Sequence, residues 1–329
     1  MSISRRVFLG GGAAALGTLA PAIAWSQAER METARIINGF PPGTTPDVIS
    51  RKVGDKIMGR YAKAVIVENR TGAGGQLAVS EVKKAVADGS SILLTPMSML
   101  GVYPFTYKKL PYDPVADLAP VSMGSTFDYG IAVGPAVPES VKSIPELMEW
   151  YKANPSKANI SSSAAGSPLH FVGLMMGRAA GVELTHVAYR GTPPAINDML
   201  GGSMPALCGP LGTFLPLMGA GKIRLLASSG AQRSRFTPHV ATLAEQGYKD
   251  LVFSEWYGFY APAKTPSDTI QRLNRELQQA LLSKDVVDTL ATVGMEAAPS
   301  TPEQLASTLK RDLATWGPIV KAIGFTAEN

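Results

Sequence analysis

From Ala34 onward the chain alternates short β-branched runs with longer segments of helical period, and that alternation restricts the fold more than any other feature. Arg35-Ile36-Ile37-Asn38 reads as a strand, Phe40 to Thr45 as a loop, and Pro46 opens a helix with Ile49, Val53, Ile57 and Tyr61 four residues apart on one face. A second strand at Val65-Ile66-Val67 leads through Gly72-Ala73-Gly74-Gly75 into a helix ending near Gly89, and Ile92-Leu93-Leu94 is a third strand. Strand, helix, strand, helix, strand specifies a parallel sheet with right-handed crossovers. After Pro120 the rhythm restarts. Ile131 to Val133 is a strand, Ser143-Ile144-Pro145-Glu146 has the capping residue and acidic third position of a helix start, and strands near 158–161, 186–189, 205–208 and 223–227 enclose helices at 169–179 and 194–200. A strand at 252–260 and two long amphipathic helices, 270–290 and 302–323, complete the chain. Two α/β units joined by strand-like segments at 121–131 and 252–260 predict a clamshell with a cleft between lobes.

Composition narrows the function. The 329 residues are 45% hydrophobic, 17% charged and 7% aromatic, with 33 Gly and 25 Pro, which excludes a disordered or collagenous chain and is ample for a large core. Removing Arg5 and Arg6 from 31 basic residues, against 26 acidic ones, leaves a net charge near +3. With no block of like charge and no basic stripe interleaved with aromatics, nucleic acid is not an expected partner. Cys208 is the only cysteine, so an intrachain disulfide, a cysteine zinc site and a cysteine lipid anchor are excluded. Met1 to Arg6 is a basic region before the uncharged stretch Val7 to Ala24, and Ser4-Arg5-Arg6-Val7-Phe8-Leu9 resembles a twin-arginine export signal. The stretch is rich in glycine and lacks a basic stop, which favours a cleaved signal over an anchor. Cleavage after Ala28 and a periplasmic location are expected.

Two loops carry the chemistry. Phe40, Pro42, Gly43, Thr44, Thr45 and Asp47 lie at a strand-to-helix junction, where unsatisfied amides and the positive end of the helix dipole favour an anion; an ordinary turn capped by Asp47 is the alternative. Ser162, Ser163, Ala164, Ala165, Gly166 and Ser167 make a second nest in the other unit, just before the helix containing His170; a plain polar loop is the alternative. The glycines at 72–75 do not complete a dinucleotide fingerprint, because Leu77 holds the third glycine position. His170, His186 and His239 lack metal spacing, so no metal and no cofactor are expected. Ser167 and His170 could be imagined as a hydrolase pair, but no G-x-S-x-G elbow accompanies them. Trp256, Tyr257, Phe259 and Tyr260 read either as core of a crossing strand or as an aromatic wall of the cleft, and Glu255 either as solvated or as a ligand contact.

Several motifs occur in order: Phe40-Pro41-Pro42-Gly43 with Asp47, Val67-Glu68-Asn69-Arg70-Thr71-Gly72-Ala73-Gly74-Gly75, Leu110-Pro111-Tyr112-Asp113-Pro114 with Asp117, Gly166-Ser167 with His170, His186-Val187 with Tyr189 and Gly191, and Trp256-Tyr257-Gly258 with Ala261-Pro262. In these the chain closely resembles the Bug family, the periplasmic substrate-binding proteins of tripartite tricarboxylate transporters, from about Ala34 to Gly324. The resemblance implies a two-lobed type II periplasmic binding fold of the Venus flytrap kind, each lobe a mainly parallel sheet flanked by helices. Its expected divisions are 1–28 as signal, 29–125 as the first part of lobe 1, 126–253 as lobe 2, and 254–329 as the return to lobe 1 with the C-terminal helices. It further implies a noncatalytic monomer that binds a small mono- or dicarboxylate, aliphatic or aromatic, through amides and hydroxyls of the two loops and hands it to a membrane permease. A sensor serving a membrane signalling partner is the alternative within the same class. Thr44 and Ala164 stand where the family usually has glycine, and Ser98, Tyr189, Cys208 and Gly209 complete the expected ligand-binding set.

Overall fold

The computed structural model describes residues 31–326; the expected export signal and its cleavage point lie outside the described residues. Strand β1 (Met31–Asn38) runs parallel to β2 (Ala62–Asn69) and β3 (Ser91–Pro96), with Ile36 opposite both Val67 and Ile92. Helix α1 (Thr45–Ile57) crosses from β1 to β2, and the four-residue spacing of Ile49, Val53 and Ile57 buries one face against the sheet. Helix α2 (Gln76–Lys84) makes the next crossover. After β3 the chain makes a π-helical turn, Ser98–Val102, that continues as the short α3 (Tyr103–Thr106).

Strand β4 (Leu118–Val133) is 16 residues long. Beyond it lie α4 (Ile144–Ala153), β5 (Asn159–Ser162), α5 (Pro168–Ala180), β6 (Thr185–Ala188), α6 (Thr192–Leu200), β7 (Ala206–Pro210), α7 (Leu215–Gly219) and β8 (Arg224–Ser228). Ser143 caps α4 by accepting the Glu146 amide, as its sequence predicts. The chain returns through β9 (Ser254–Pro262), α8 (Ser267–Leu281), α9 (Lys284–Thr292), β10 (Glu296–Ala297) and α10 (Pro302–Ile323), the last opened by a capping box of Thr301 and Gln304.

The strands lie in the order β2-β1-β3-β9-β4-β7-β5-β6, with β8 and β10 paired to β4. Strands with helical crossovers are parallel, β5 to β6 and β7 as well as β1 to β2 and β3. β9 runs antiparallel to β3 and β4, and β4 antiparallel to β7 and β8, so the sheet is mixed. β4 changes partners midway: residues 118–128 pair with β9, and Tyr129 to Val133 pair with β7 and β8. Two lobes therefore share one continuous strand.

Two details depart from the sequence reading. The helix expected across 270–290 is two helices, because Ser283 turns to extended backbone at the start of α9 and its hydroxyl donates to the Ala280 carbonyl. The turns at Ser98–Val102 and Leu211–Phe214 carry no amphipathic period and were not foreseen.

The Leu211–Phe214 turn of the second lobe lies against Val293 and Gly294 of the first. A Cβ placed on Gly212 would sit 1.6 Å from the Val293 carbonyl oxygen, so only glycine permits this approach of backbone to backbone. Gly212→Ala is expected to cost about 2 kcal/mol, read as a lowered denaturation midpoint. Gly219→Ala, whose Cβ would meet nothing within 4 Å, should be neutral or slightly stabilising.

Candidate functional site

Three helices begin at the junction of the lobes. α1, α5 and α6 each carry proline in the first turn, and their N-cap residues Thr44, Ser167 and Gly191 make no side-chain capping bond. The two hydroxyls are occupied elsewhere: Thr44 Oγ1 donates to the Pro41 carbonyl at 2.6 Å, and Ser167 Oγ to the Ala164 carbonyl at 2.8 Å. The amides of Thr45, Asp47, Leu169, His170 and Thr192 belong to first turns, where a helix offers no acceptor of its own. All three helices thus present their positive ends toward the same region.

That region is a cavity of about 60 Å³. Phe40, Thr44, Thr45 and Pro46 line it from the first loop, and Ser163, Ala164, Ser167 and Leu169 from the second. Gly191 and Thr192 add the start of α6, while Pro96, Ser98 and Tyr103 come from the end of β3 and the turn after it. Pro210 ends β7, and the crossing strands supply Phe127, Tyr257 and Glu255. Among the described residues no lysine, arginine or histidine lines it. Its size suits a small organic molecule rather than a nucleotide or a drug-sized ligand.

Of the residues singled out in the sequence, Phe40, Thr44, Thr45, Ser98, Ser163, Ala164 and Ser167 meet at this cavity. The others do not line it. Asp47 is buried behind the first loop, where it accepts hydrogen bonds from the Gly43 amide (2.9 Å), Asn69 Nδ2 (2.9 Å) and both Nε and Nη2 of Arg51. Burial alone would raise its pKa, but the bonds from Arg51, Gly43 and Asn69 outweigh that and hold the carboxyl below its usual range. Asn69 also donates to the Phe40 carbonyl at 2.9 Å. Asp47 is thus a positioning residue that fixes the Phe40 to Gly43 loop, with Pro42 on the loop's outer side.

The second loop has a similar backing. Ser162 is buried, with its Oγ 2.8 Å from His186 Nε2, and the Gly166 amide donates to His170 Nδ1 at 3.1 Å, with Ala165 in the turn between. His170 stacks on His186 with ring centroids 3.7 Å apart. The Tyr189 hydroxyl donates to Asp198 at 2.5 Å. The Cys208 thiol is wholly buried and pushed up in pKa by burial, and Gly209 lies against the Phe214 ring, so at this strand end Pro210 reaches the cavity instead. Ser167 and His170 are each engaged with backbone rather than with one another, which is not the geometry of a nucleophile and its base. Among the described residues no cluster of His, Cys, Asp and Glu could hold a metal.

Sequence reasoning missed Thr192 and Phe127 as site residues; Glu255, left open between solvent and ligand, lines the floor, and of the strand end at Cys208 and Gly209 it is Pro210 that lines the cavity. The Gly191-Thr192-Pro193 helix start was a usable signal; for Phe127 there was none. Of the aromatic run near 256, Tyr257 is cavity wall, while Trp256, Phe259 and Tyr260 are core.

Comparison with known proteins settles the family. Residues 49–325 match the family model described as tripartite tricarboxylate transporter family receptor. The chain belongs to that receptor family. It is 31% identical to the protein BugT of Bordetella pertussis over 88% of this chain and 89% of that one. It superimposes on the structure of the periplasmic binding protein BugD with a TM-score of 0.82 at 28% identity, covering 90% of this chain and 99% of the other. R. palustris Rpa4515, solved with adipate, gives a TM-score of 0.84 at 26% identity, covering 92% and 99%. Members of this family are periplasmic binding receptors, not enzymes, and no helix among the described residues is long and apolar enough to cross a membrane.

In this receptor the histidine pair sets a pH limit. Burial lowers the pKa of His170 to about 4, and burial together with the His170 ring lowers that of His186 to about 3. An unfolded histidine titrates near 6.5, so between about pH 6.5 and 4 the unfolded chain binds protons that the folded one does not. The stability contributed by the neutral pair is therefore present above that window and lost as pH falls through it. The melting temperature is expected to drop between pH 7.5 and pH 5, and the double variant His170→Asn, His186→Asn should show a shallower drop over the same interval.

Proposed function

We propose that this receptor captures a small organic carboxylate between its lobes and delivers it to a membrane permease of the tripartite tricarboxylate type. The observation that carries the reading is the convergence of three helix N-termini without side-chain caps on a cavity that has, among the described residues, no cationic side chain in its lining. Main-chain amides and hydroxyls of the two loops would hold the anion, with Thr44 and Ala164 narrowing the pocket where relatives have glycine. Rpa4515, solved with adipate, supports the carboxylate class by kinship. Closure would bring 126–253 against 29–125 and 254–329, with the shared strand as the hinge.

Hydrogen bonds to a charged group contribute roughly 1.5–3 kcal/mol each. Three to five of them, less the cost of ordering two loops, leave about 8 kcal/mol, which corresponds to micromolar affinity. A ligand held by buried dipoles is screened weakly by salt.

Titration calorimetry with short carboxylates should show an affinity that weakens only modestly between low and high salt. Ser163→Asp, which places a like charge in the second nest, should abolish binding, whereas Arg51→Ala should leave it within a few fold. The reverse pattern would point to a direct ion pair and end the amide-nest mechanism. Export by the Arg5-Arg6 signal with cleavage after Ala28 predicts an intact mass for periplasmic protein that begins at Glu29; a mass retaining Val7 to Ala24 would overturn it.

A further inference from the structure

Among the described residues, the cavity assigned above to an anion is lined by one acidic side chain and by no basic one. Glu255, on β9, is 4% exposed and lines the floor. Its Oε1 accepts the Ser98 amide at 3.0 Å and its Oε2 the Tyr129 hydroxyl at 2.8 Å, so the carboxyl is fixed from both sides. Among the described residues no lysine, arginine or histidine pairs with it. The ionisable groups that face it are Tyr103 from the turn after β3, Tyr129 from β4, Cys208 from β7, Tyr257 from β9 and Asp312 from α10. None of these is a cation, and Asp312 is a second buried carboxyl, hydrogen-bonded to the Trp256 indole.

A buried carboxylate without a counter-charge is costly, and burial accordingly raises the Glu255 pKa. A structural carboxyl of this kind usually faces an arginine or lysine from its own chain. Here it faces the cavity. Phe127 and Tyr257 stack beside it with centroids 5.3 Å apart, and aromatic faces attract a cation as the carboxylate does.

We propose that Glu255 is a specificity-determining residue that receives a positively charged nitrogen of the ligand, so that the receptor takes zwitterions: a carboxylate at the helix N-termini and a cationic amine at the floor. The inference rests on the carboxylate reading of the preceding subsection and narrows it. A ligand with a second carboxylate at that end would meet a like charge in a low-dielectric setting and be disfavoured. An uncharged methyl end would leave the buried acid without its counter-charge.

Matched ligands of equal length test the assignment: 3-aminopropanoate with succinate and butanoate, and 4-aminobutanoate with glutarate and pentanoate. Titration of the wild-type receptor should show, for at least one length, the amino acid binding at least tenfold tighter than the dicarboxylate and the methyl-ended acid. Glu255→Gln keeps an acceptor oxygen and nearly the same volume, and should bring the amino acid and dicarboxylate to within about threefold of each other. Dicarboxylates that outbind their amino partners at both lengths in the wild-type receptor overturn the proposal without any variant. So does a preference unchanged in a Glu255→Gln protein that melts like the wild type. Carboxylate binding without a Glu255-dependent preference removes only this inference; absence of binding by all six acids counts against the carboxylate reading as well.

Discussion

One strand holds this molecule together. Because β4 pairs with β9 up to Asp128 and with β7 and β8 from Tyr129, neither lobe can complete its sheet without the other. The handover is tied by Ser229: its amide donates to the Tyr129 carbonyl, its Oγ accepts the Tyr129 amide, and its carbonyl accepts the Phe253 amide just before β9 returns. Both interlobe crossings thus run side by side at one place. A ladder of backbone hydrogen bonds resists shear but tolerates twist, so in the proposed closure this joint would also serve as the hinge. It also sets the floor of the cavity, because the side chains facing the cleft at the crossing come from β4 and β9.

The walls follow from a different rule. In a parallel strand-helix-strand unit each helix begins near the carboxyl end of the preceding strand, so the helix starts gather on one edge of the sheet. Two such units meeting at a shared strand turn these edges toward each other, and α1, α5 and α6 converge. Their loops need backing, because a loop that supplies amides to a ligand cannot satisfy itself. Asp47 with Arg51 and Asn69 provides it on one side, and His170 with His186 and Ser162 on the other. These polar groups are spent on the loop rather than on the ligand.

That division explains how far the sequence could be read. The two loops were legible because a glycine- or serine-rich stretch between a β-branched run and a helical period has a local signature, and both loops reach the cavity. Asp47 and His170 were legible as belonging to the site but not in their orientation, since an i,i+4 spacing within a helix start is compatible with facing the ligand or the loop. Glu255 was legible as solvated or as a ligand contact, but the sequence could not decide between the two. Its role depends on Ser98 and Tyr129, 157 and 126 residues away in the chain, and on the lack of a cation from any element packed around it. The break at Ser283 was hidden because the apolar period continues across it, with Val286 and Leu290 buried on the far side.

Floor and walls together define an electrostatic axis across the cavity. Helix ends contribute partial positive charge spread over several amides, which suits an anion without fixing its chemistry. Glu255 contributes one localised carboxyl held by two donors, whose effect on a ligand cation, on the zwitterion proposal, would be directional. The first arrangement would supply affinity that many carboxylates can share; the second, on the zwitterion proposal, would discriminate among them by what they carry at the other end. Thr44 and Ala164 bear on size, not charge, and so refine the same choice sterically. A receptor built this way can change its ligand through a single floor residue while its walls, and the strand that joins them, stay as they are.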